Sequence, residues 1–314
     1  MGARGPPGGG VAIEAPALAR EAGRDEARTG PGRVSSVLVI SKPGIAAGVA
    51  VAGLAGMVLA AGGLPDGRTA ALGLGCIVAA ALGAAIVNGL LDAPLDARMR
   101  RLSARVAALR TVGEKGALAL ALVLVAGALA VSVRYLNALS ALLILSAVLS
   151  YSLLYTLYFK RRSPYGTIPG GVPGALPVLV GYAAASGRIG LPGVVLFFVM
   201  LLWQPPHFWT LALKHQDDYR AAGIPAMPVA RGEPYTRALI LLYAVALLPL
   251  SLGLWVFGCC SALFAGSAVL LWAYFILSCW RNAVAARRFG KAFGASIVYM
   301  MGLLVAVIVD VSAR

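Results

Sequence analysis

Nine apolar runs, each close to the ~20 residues that carry a helix across a bilayer, constrain this chain more than anything else in it. They fall at about 43–63, 69–91, 116–134, 137–158, 170–186, 190–213, 236–257, 262–281 and 294–312. One soluble core cannot absorb them. Hydrophobic residues make up 60% of the 314, and the mean hydropathy is +0.85, far above soluble averages. A transmembrane barrel would alternate in segments of roughly ten residues, and the chain shows no such alternation. The expected fold is all-α: a polytopic membrane protein whose nine transmembrane helices bundle around a central cavity opening to the cytoplasmic face.

Residues 1–34 differ in kind. "MGARGPPGGG" and "EAGRDEARTGPGR" are rich in Gly, Pro, Ala and Arg and hold no apolar run. A disordered cytoplasmic tail is expected there, followed by one transmembrane domain over 35–314. The segment lacks the apolar centre of a signal peptide. Its Glu14, Glu21, Asp25 and Glu26 do not suit an acid-poor transit peptide. The four cysteines, Cys76, Cys259, Cys260 and Cys279, have no metal-ligand spacing and read as small buried hydrophobes.

The net charge of +15 reports topology rather than nucleic acid. Of the 27 Lys and Arg, all but Arg68, Arg134, Arg188 and Arg314 fall in the N-terminal segment or in the connections that follow the even-numbered spans. The positive-inside rule makes that face cytoplasmic. The N-terminus is then cytoplasmic and, with nine spans, the C-terminus periplasmic. The Ala- and Gly-rich composition suggests a bacterial inner membrane.

That rule leaves the carboxylates unexplained. In "NGLLDAPLDARMRR", Asn88, Asp92 and Asp96 follow one another at intervals of four. On a helix they share a stripe that drifts about 40° and rises about 6 Å per step. Stacked carboxylates repel unless a cation lies between them. Mg²⁺ suits the place, because it takes one or two carboxylates together with phosphate oxygens and water. Pro94 interrupts the stripe and is expected to kink or restart the helix, with Asp92 available as a cap.

A second acidic pair, Asp217 and Asp218, lies on the same face in "WQPPHFWTLALKHQDDYR", flanked by Lys214 and Arg220. Two acidic sites among Lys and Arg at the end of an apolar bundle describe a diphosphate with a hydrocarbon tail. A third stretch, "YTLYFKRRSPYGTIPGGVPGALP", brings Lys160–Arg162 to that face. Tyr151, Tyr155 and Tyr158 stand at helical spacing just before it. They read equally as an interfacial aromatic belt or as the lining of an isoprenoid cavity. The Gly and Pro residues at 169–177 are expected to thin the fifth helix and allow close packing.

These segments resemble the UbiA superfamily of intramembrane prenyltransferases. "NGLLDAPLD" fits that family's NxxxDxxxD motif. "SKPG", "AGMVLAAGGLP", "YTLYFKRRSPYGTIPGGVPGALPVLVGY" and "LLWQPPHFWTLALKHQDDYRAAGIPAMPV" are similar to its heme-farnesylating branch. The likeness extends over about 35–312. The chain departs from that branch at Pro94, where a third Asp is usual, and at Gly44, Leu102, Val106 and Val178.

The resemblance implies that farnesyl diphosphate is the donor, heme b the acceptor and heme O the product. It implies a metal held by Asn88, Asp92, Asp96 and Asp218, with Asp92, Asp96, Asp218 and Lys160 as the catalytic set. Asn88, Arg101, Lys160, Arg161 and Lys214 would bind diphosphate. Tyr151, Tyr155, Trp203, His207 and Tyr219 would line the prenyl and heme pocket. Heme A synthase and oxidase assembly proteins are the partners the family suggests, alongside the lipid bilayer. A prenyltransferase acting on a quinone precursor or a chlorin shares the same Asp logic. A secondary transporter is the reading from another class, but its ionisable groups belong near the midplane, whereas here they gather at one edge.

Overall fold

A computed structural model describes Gly2 and residues 32–314. The expected tail lies outside the described residues except for Gly2 and its last three positions, of which Arg33 and Val34 already belong to the first helix. The helices are α1 (Arg33–Ser41), α2 (Pro43–Ala61), α3 (Gly67–Asp96), α4 (Ser103–Val112), α5 (Glu114–Leu136), α6 (Ala138–Arg162) and α7 (Val172–Ser186). After these come α8 (Leu191–Lys214), α9 (Gln216–Ala221), α10 (Met227–Ala230), α11 (Glu233–Val256), α12 (Ala262–Ala285) and α13 (Phe289–Ser312).

Eight of the described helices, α2, α3, α5, α6, α8, α11, α12 and α13, are long and apolar enough to cross a membrane. The expected ninth, α7, has only 15 residues, about 22 Å of helix, and falls short by length. Proline explains this: Pro169 opens a tight turn over Pro169–Gly171, and Pro173 and Pro177 follow within the helix. The ends of α7 nevertheless lie against both ends of α6. Gly170 sits on the ring of Tyr155, and Ala183 O accepts from Asn137 Nδ2 at 2.8 Å, Asn137 being the N-cap of α6.

Close packing compensates α7 for its length. A Cβ on Gly181 would overlap the carbonyl of Gly53 in α2, and one on Gly56 would overlap the carbonyl of Val178. In lipid, where water gives no drive for helix association, such backbone approach is what holds helices together. One core joins α2, α7, α8, α11, α12 and α13 through residues such as Val178, Val199, Leu247 and Tyr299. A second joins α2, α3, α5, α6 and α7. A third packs α1 and α4 on α3 and α5 around Ile40, Ile86 and Leu109. Leu122, Val123, Leu242 and Leu270 point outward, as lipid-facing residues do.

Two local features shape the basic face. Lys42 separates α1 from α2 in a left-handed conformation, φ 54° and ψ 59°. Pro43 disfavours the helical region for the residue before it, so the chain breaks there and restarts with Pro43 in the first turn. The second feature is a π-helical stretch over Ser150–Phe159 inside α6. Ser146 and Ser150 turn their hydroxyls back to the carbonyls of Leu142 and Ala147, a bond that loosens the α ladder.

Candidate active site

The end of α3 runs unbroken through Pro94 to Asp96. The expected restart is absent because Pro94 sits in the last turn with its ring exposed. Asp92 therefore does not cap a new helix. It is buried and stays on the Asn88 stripe, with Asn88 Nδ2 donating to Asp92 Oδ2 at 2.9 Å. Lys160 Nζ from α6 reaches the same oxygen at 2.5 Å. Arg161 Nη2 stands 3.5 Å from Asp92 Oδ1 and donates to Leu91 O at 2.8 Å.

Asn88 is fully engaged. Lys42 Nζ donates to its Oδ1 at 2.8 Å, and an ammonium only donates, which fixes the orientation of the amide. The Nδ2 hydrogens then go to Asp92 and to Thr156 Oγ1, 3.0 Å away. The Thr156 hydroxyl in turn donates to Tyr151 O at 2.8 Å, a bond across the π turn. Burial, with Arg105 and Lys160 close by, pushes the Lys42 ammonium down to about 7.

Asp96, also buried, faces the other way, toward a small cavity bordered by Ile40, Val106 and Leu109, and is ion-paired with Arg105 of α4. Asp218, at the start of α9, accepts from Arg100 N at 3.2 Å and pairs with Arg101 Nε at 3.5 Å. Arg101 Nη2 also donates to Tyr219 OH at 3.2 Å and lies over its ring. Asp217 points into solvent and pairs with Arg220 at 2.6 Å. Among the described residues, no group of three or more His, Cys, Asp and Glu side chains gathers as a metal cluster. Each of the three carboxylates expected to share a metal has a basic partner of its own.

Divalent metal still fits the donors. Asp92 Oδ1 is a buried carboxylate oxygen without a hydrogen-bond partner, and hard oxygen donors are what magnesium takes, with phosphate oxygens and water completing its shell. Asn88 is less suited to that role, because its only acceptor atom already serves Lys42.

Beside Lys160 opens a cavity bordered by Tyr155, Thr167, Phe208, Trp209, Tyr219 and Met227. The rings of Tyr151 and Tyr155 stack at 6.0 Å and 9°. Tyr158 does not join them: it is exposed and lies under the guanidinium of Arg162. The π turn is the reason. At roughly 4.4 residues per turn, a four-residue step nearly closes a turn, while a seven-residue step lands on the opposite side.

Three expected site residues lie elsewhere. Trp203 and His207, one turn apart on α8, face α13. Trp203 Nε1 donates to Ser296 O at 2.7 Å, and His207 Nδ1 meets Ser296 Oγ at 2.7 Å. The His207 ring stacks between Trp203 at 4.4 Å and Phe293 at 4.5 Å. Phe208 and Ala212, on another face of α8, reach the cavity instead. Lys214 is exposed and lies beside Gly290 of α13. Sequence reasoning missed Lys42, Arg105 and Thr156. "SKPG" was the one signal for the first of them.

Residues 49–302 match the UbiA prenyltransferase family. A protoheme IX farnesyltransferase of Geotalea uraniireducens (strain Rf4) is 54% identical over 258 residues, covering 82% of this chain and 100% of the relative. One from Aquifex aeolicus (strain VF5) is 37% identical over 290 residues, 91% of this chain and 98% of the relative. A solved structure of a digeranylgeranylglyceryl phosphate synthase aligns with a TM-score of 0.72 at 16% identity, over 90% of this chain and 99% of that one. A UbiA homolog from Archaeoglobus fulgidus bound to DMAPP and Mg²⁺ aligns at 0.61 and 14% identity, over 87% and 99%. At such identities the structures share the fold. With residues 49–302 matched and a relative more than half identical, the chain belongs to the UbiA prenyltransferase family and is an integral membrane protein.

Proposed function

We propose that the protein transfers the farnesyl group of farnesyl diphosphate to a vinyl group of heme b, giving heme O. The observation that carries the reading is the buried Asn88–Asp92–Lys160 constellation at the mouth of an aromatic cavity, in a chain 54% identical to a protoheme IX farnesyltransferase. The same similarity favours heme over a quinone precursor or a chlorin.

In this reading the diphosphate lies against Lys160, Arg161 and Arg101, and the farnesyl chain enters beside the stacked Tyr151 and Tyr155. Asp92, Asp96 and Asp218 would hold Mg²⁺, which when bound stabilises charge on the leaving diphosphate. The basic side chains take the remaining charge as the allylic C–O bond breaks and its electron pair leaves with diphosphate. The π-faces of Tyr151 and Tyr155 border the allylic cation, a favourable placement for positive charge. The vinyl π electrons form the new C–C bond. Water adds to the resulting cation and loses a proton, leaving a hydroxyethylfarnesyl substituent. The apolar walls keep water from the allylic cation before capture. The basic face is cytoplasmic in this proposal, in a bacterial inner membrane, with oxidase assembly proteins and heme A synthase receiving the product.

The test is expression in a strain that lacks its own heme farnesylation, followed by heme extraction and mass spectrometry. A heme heavier by one farnesyl group and one water is the expected result. Unmodified heme b in membranes that contain the protein would refute the acceptor assignment, and quinone precursors would then be tried.

A further inference from the structure

Two buried polar atoms on residues that border the aromatic cavity have no hydrogen-bond partner in the protein: Thr167 Oγ1 and Trp209 Nε1. Trp209 is fully buried on α8, and its ring meets Tyr243 of α11 edge-on at 5.1 Å. Thr167 lies in the connection between α6 and α7. Backbone bonds pin that connection: Ser163 N donates to Phe159 O at 3.1 Å, Gly166 N to Ser163 O at 3.0 Å and Gly170 N to Gly166 O at 2.9 Å. A Cβ on Gly166 would overlap the Phe159 carbonyl. The backbone of its neighbours thus holds Thr167 at the cavity edge.

A buried donor or acceptor without a partner is costly. Native proteins meet such groups with a bound water or keep them for a functional role. The cavity volume, about 20 Å³, exceeds the roughly 10–15 Å³ that one water needs. Other polar groups at the cavity are engaged: Tyr219 OH accepts from Arg101, Ser163 Oγ accepts from Tyr165 N, and Lys160 pairs with Asp92. Thr167 and Trp209 are neutral. A phosphate oxygen or a carboxylate calls for a cation, and a prenyl chain has nothing to hydrogen-bond. A small neutral molecule fits. An indole N–H only donates, while a hydroxyl donates and accepts. A water between them takes the Trp209 hydrogen on its oxygen and gives one of its own to Thr167 Oγ1, which leaves a lone pair free to attack.

We propose that Thr167 and Trp209 hold the water that adds to the substituent cation once the farnesyl group has joined the vinyl carbon. The inference rests on the heme-farnesylating reading above and gives that reading's water a place. The water's lone pair forms the new C–O bond at the cationic carbon next to the porphyrin ring. Its O–H bond breaks, and the proton passes to an oxygen of the released diphosphate beside Lys160. Atoms and charge balance with no oxidant or reductant. Without a water in position the cation has another exit. It loses a proton from the neighbouring CH₂, and the product is an alkenyl heme lighter than heme O by one water.

The experiment expresses the full chain in a strain that lacks its own heme farnesylation and resolves the extracted hemes by mass spectrometry. The readout is the ratio of hydrated to anhydrous farnesylated heme, which does not depend on how much protein folds. Wild type is expected to give heme O almost alone. Thr167→Val keeps the shape of the side chain and removes its hydroxyl. It is expected to lower the ratio about five- to tenfold, the worth of one hydrogen bond. Thr167→Ser is expected to restore it, and Trp209→Phe to lower it in the same direction. Thr167→Val with the wild-type ratio overturns the proposal, whatever Trp209→Phe does and whether or not total product falls, and leaves the heme reading intact. Wild type that makes no farnesylated heme refutes the acceptor assignment, and the role of the water with it.

Discussion

Lys42 and Asn88, 46 residues apart, meet through a 2.8 Å hydrogen bond from the ammonium to the amide oxygen. The bond turns the amide so that its two hydrogens point at Asp92 and Thr156. In the proposed function Asn88 acts as a positioning residue for Asp92. Asn88→Ala is expected to lower heme O formation about 10- to 100-fold, the usual cost of losing a group that orients a metal-binding side chain. A structural role alone would lower the yield of folded protein and leave kcat of the surviving fraction unchanged. Kinetics on size-exclusion-purified protein separate the two.

Asp92→Asn keeps the shape of the side chain and removes its charge. Lys160 and Arg161 then lose their shared anion. Turnover is expected to fall by at least about 10²-fold, and raising Mg²⁺ should not restore it. Full activity at low Mg²⁺ would sink the metal role of Asp92.

Two of the three tyrosines of the π stretch, Tyr155 and Tyr158, part company. Tyr155 borders the cavity and Tyr158 lies on the outer surface. Tyr155→Ala is expected to raise KM for farnesyl diphosphate about tenfold, while Tyr158→Ala stays within about twofold, since the truncation removes wall area from one and lipid contact from the other. Equal effects would mean that the π turn does not sort the rings as described.

Gly181 sits against the backbone of Gly53, and Gly56 against that of Val178. A backbone carbonyl cannot swing aside as a side chain can. Gly181→Ala is expected to cost about 1–3 kcal/mol, read as a lower midpoint in thermal unfolding followed by size-exclusion chromatography. Gly127→Ala, in α5 with open space at its Cβ, is the neutral control.

The helical membrane fold was legible from apolar length alone, because in lipid the backbone has few alternatives to helix. The short α7 announced itself through its prolines and glycines. The Asn88–Asp92 pairing was legible too, since helical spacing is enough to join them. What spacing cannot supply is the partner across helices. Lys42 reaches Asn88 only because the backbone turns left-handed at one residue. Arg105 meets Asp96 because α4 folds back beside α3. The helical spacing that Tyr151, Tyr155 and Tyr158 share in the sequence does not survive the π stretch, and Tyr158 alone takes the outer surface. Trp203 and His207 were placed in the pocket although their shared face belongs to α13. Periodicity reports which residues share a face and is silent on what that face meets.

The π stretch has one more effect. A wider helix rises less per residue, so α6 fits its 25 residues into less depth than an unbroken α-helix of the same length, about 37 Å. Hydrophobic mismatch is commonly relieved by tilting or by deforming the bilayer. In α6 the looser coil itself shortens the helix, with Asn137 capping one end and Lys160, at the other, meeting Asp92 at 2.5 Å.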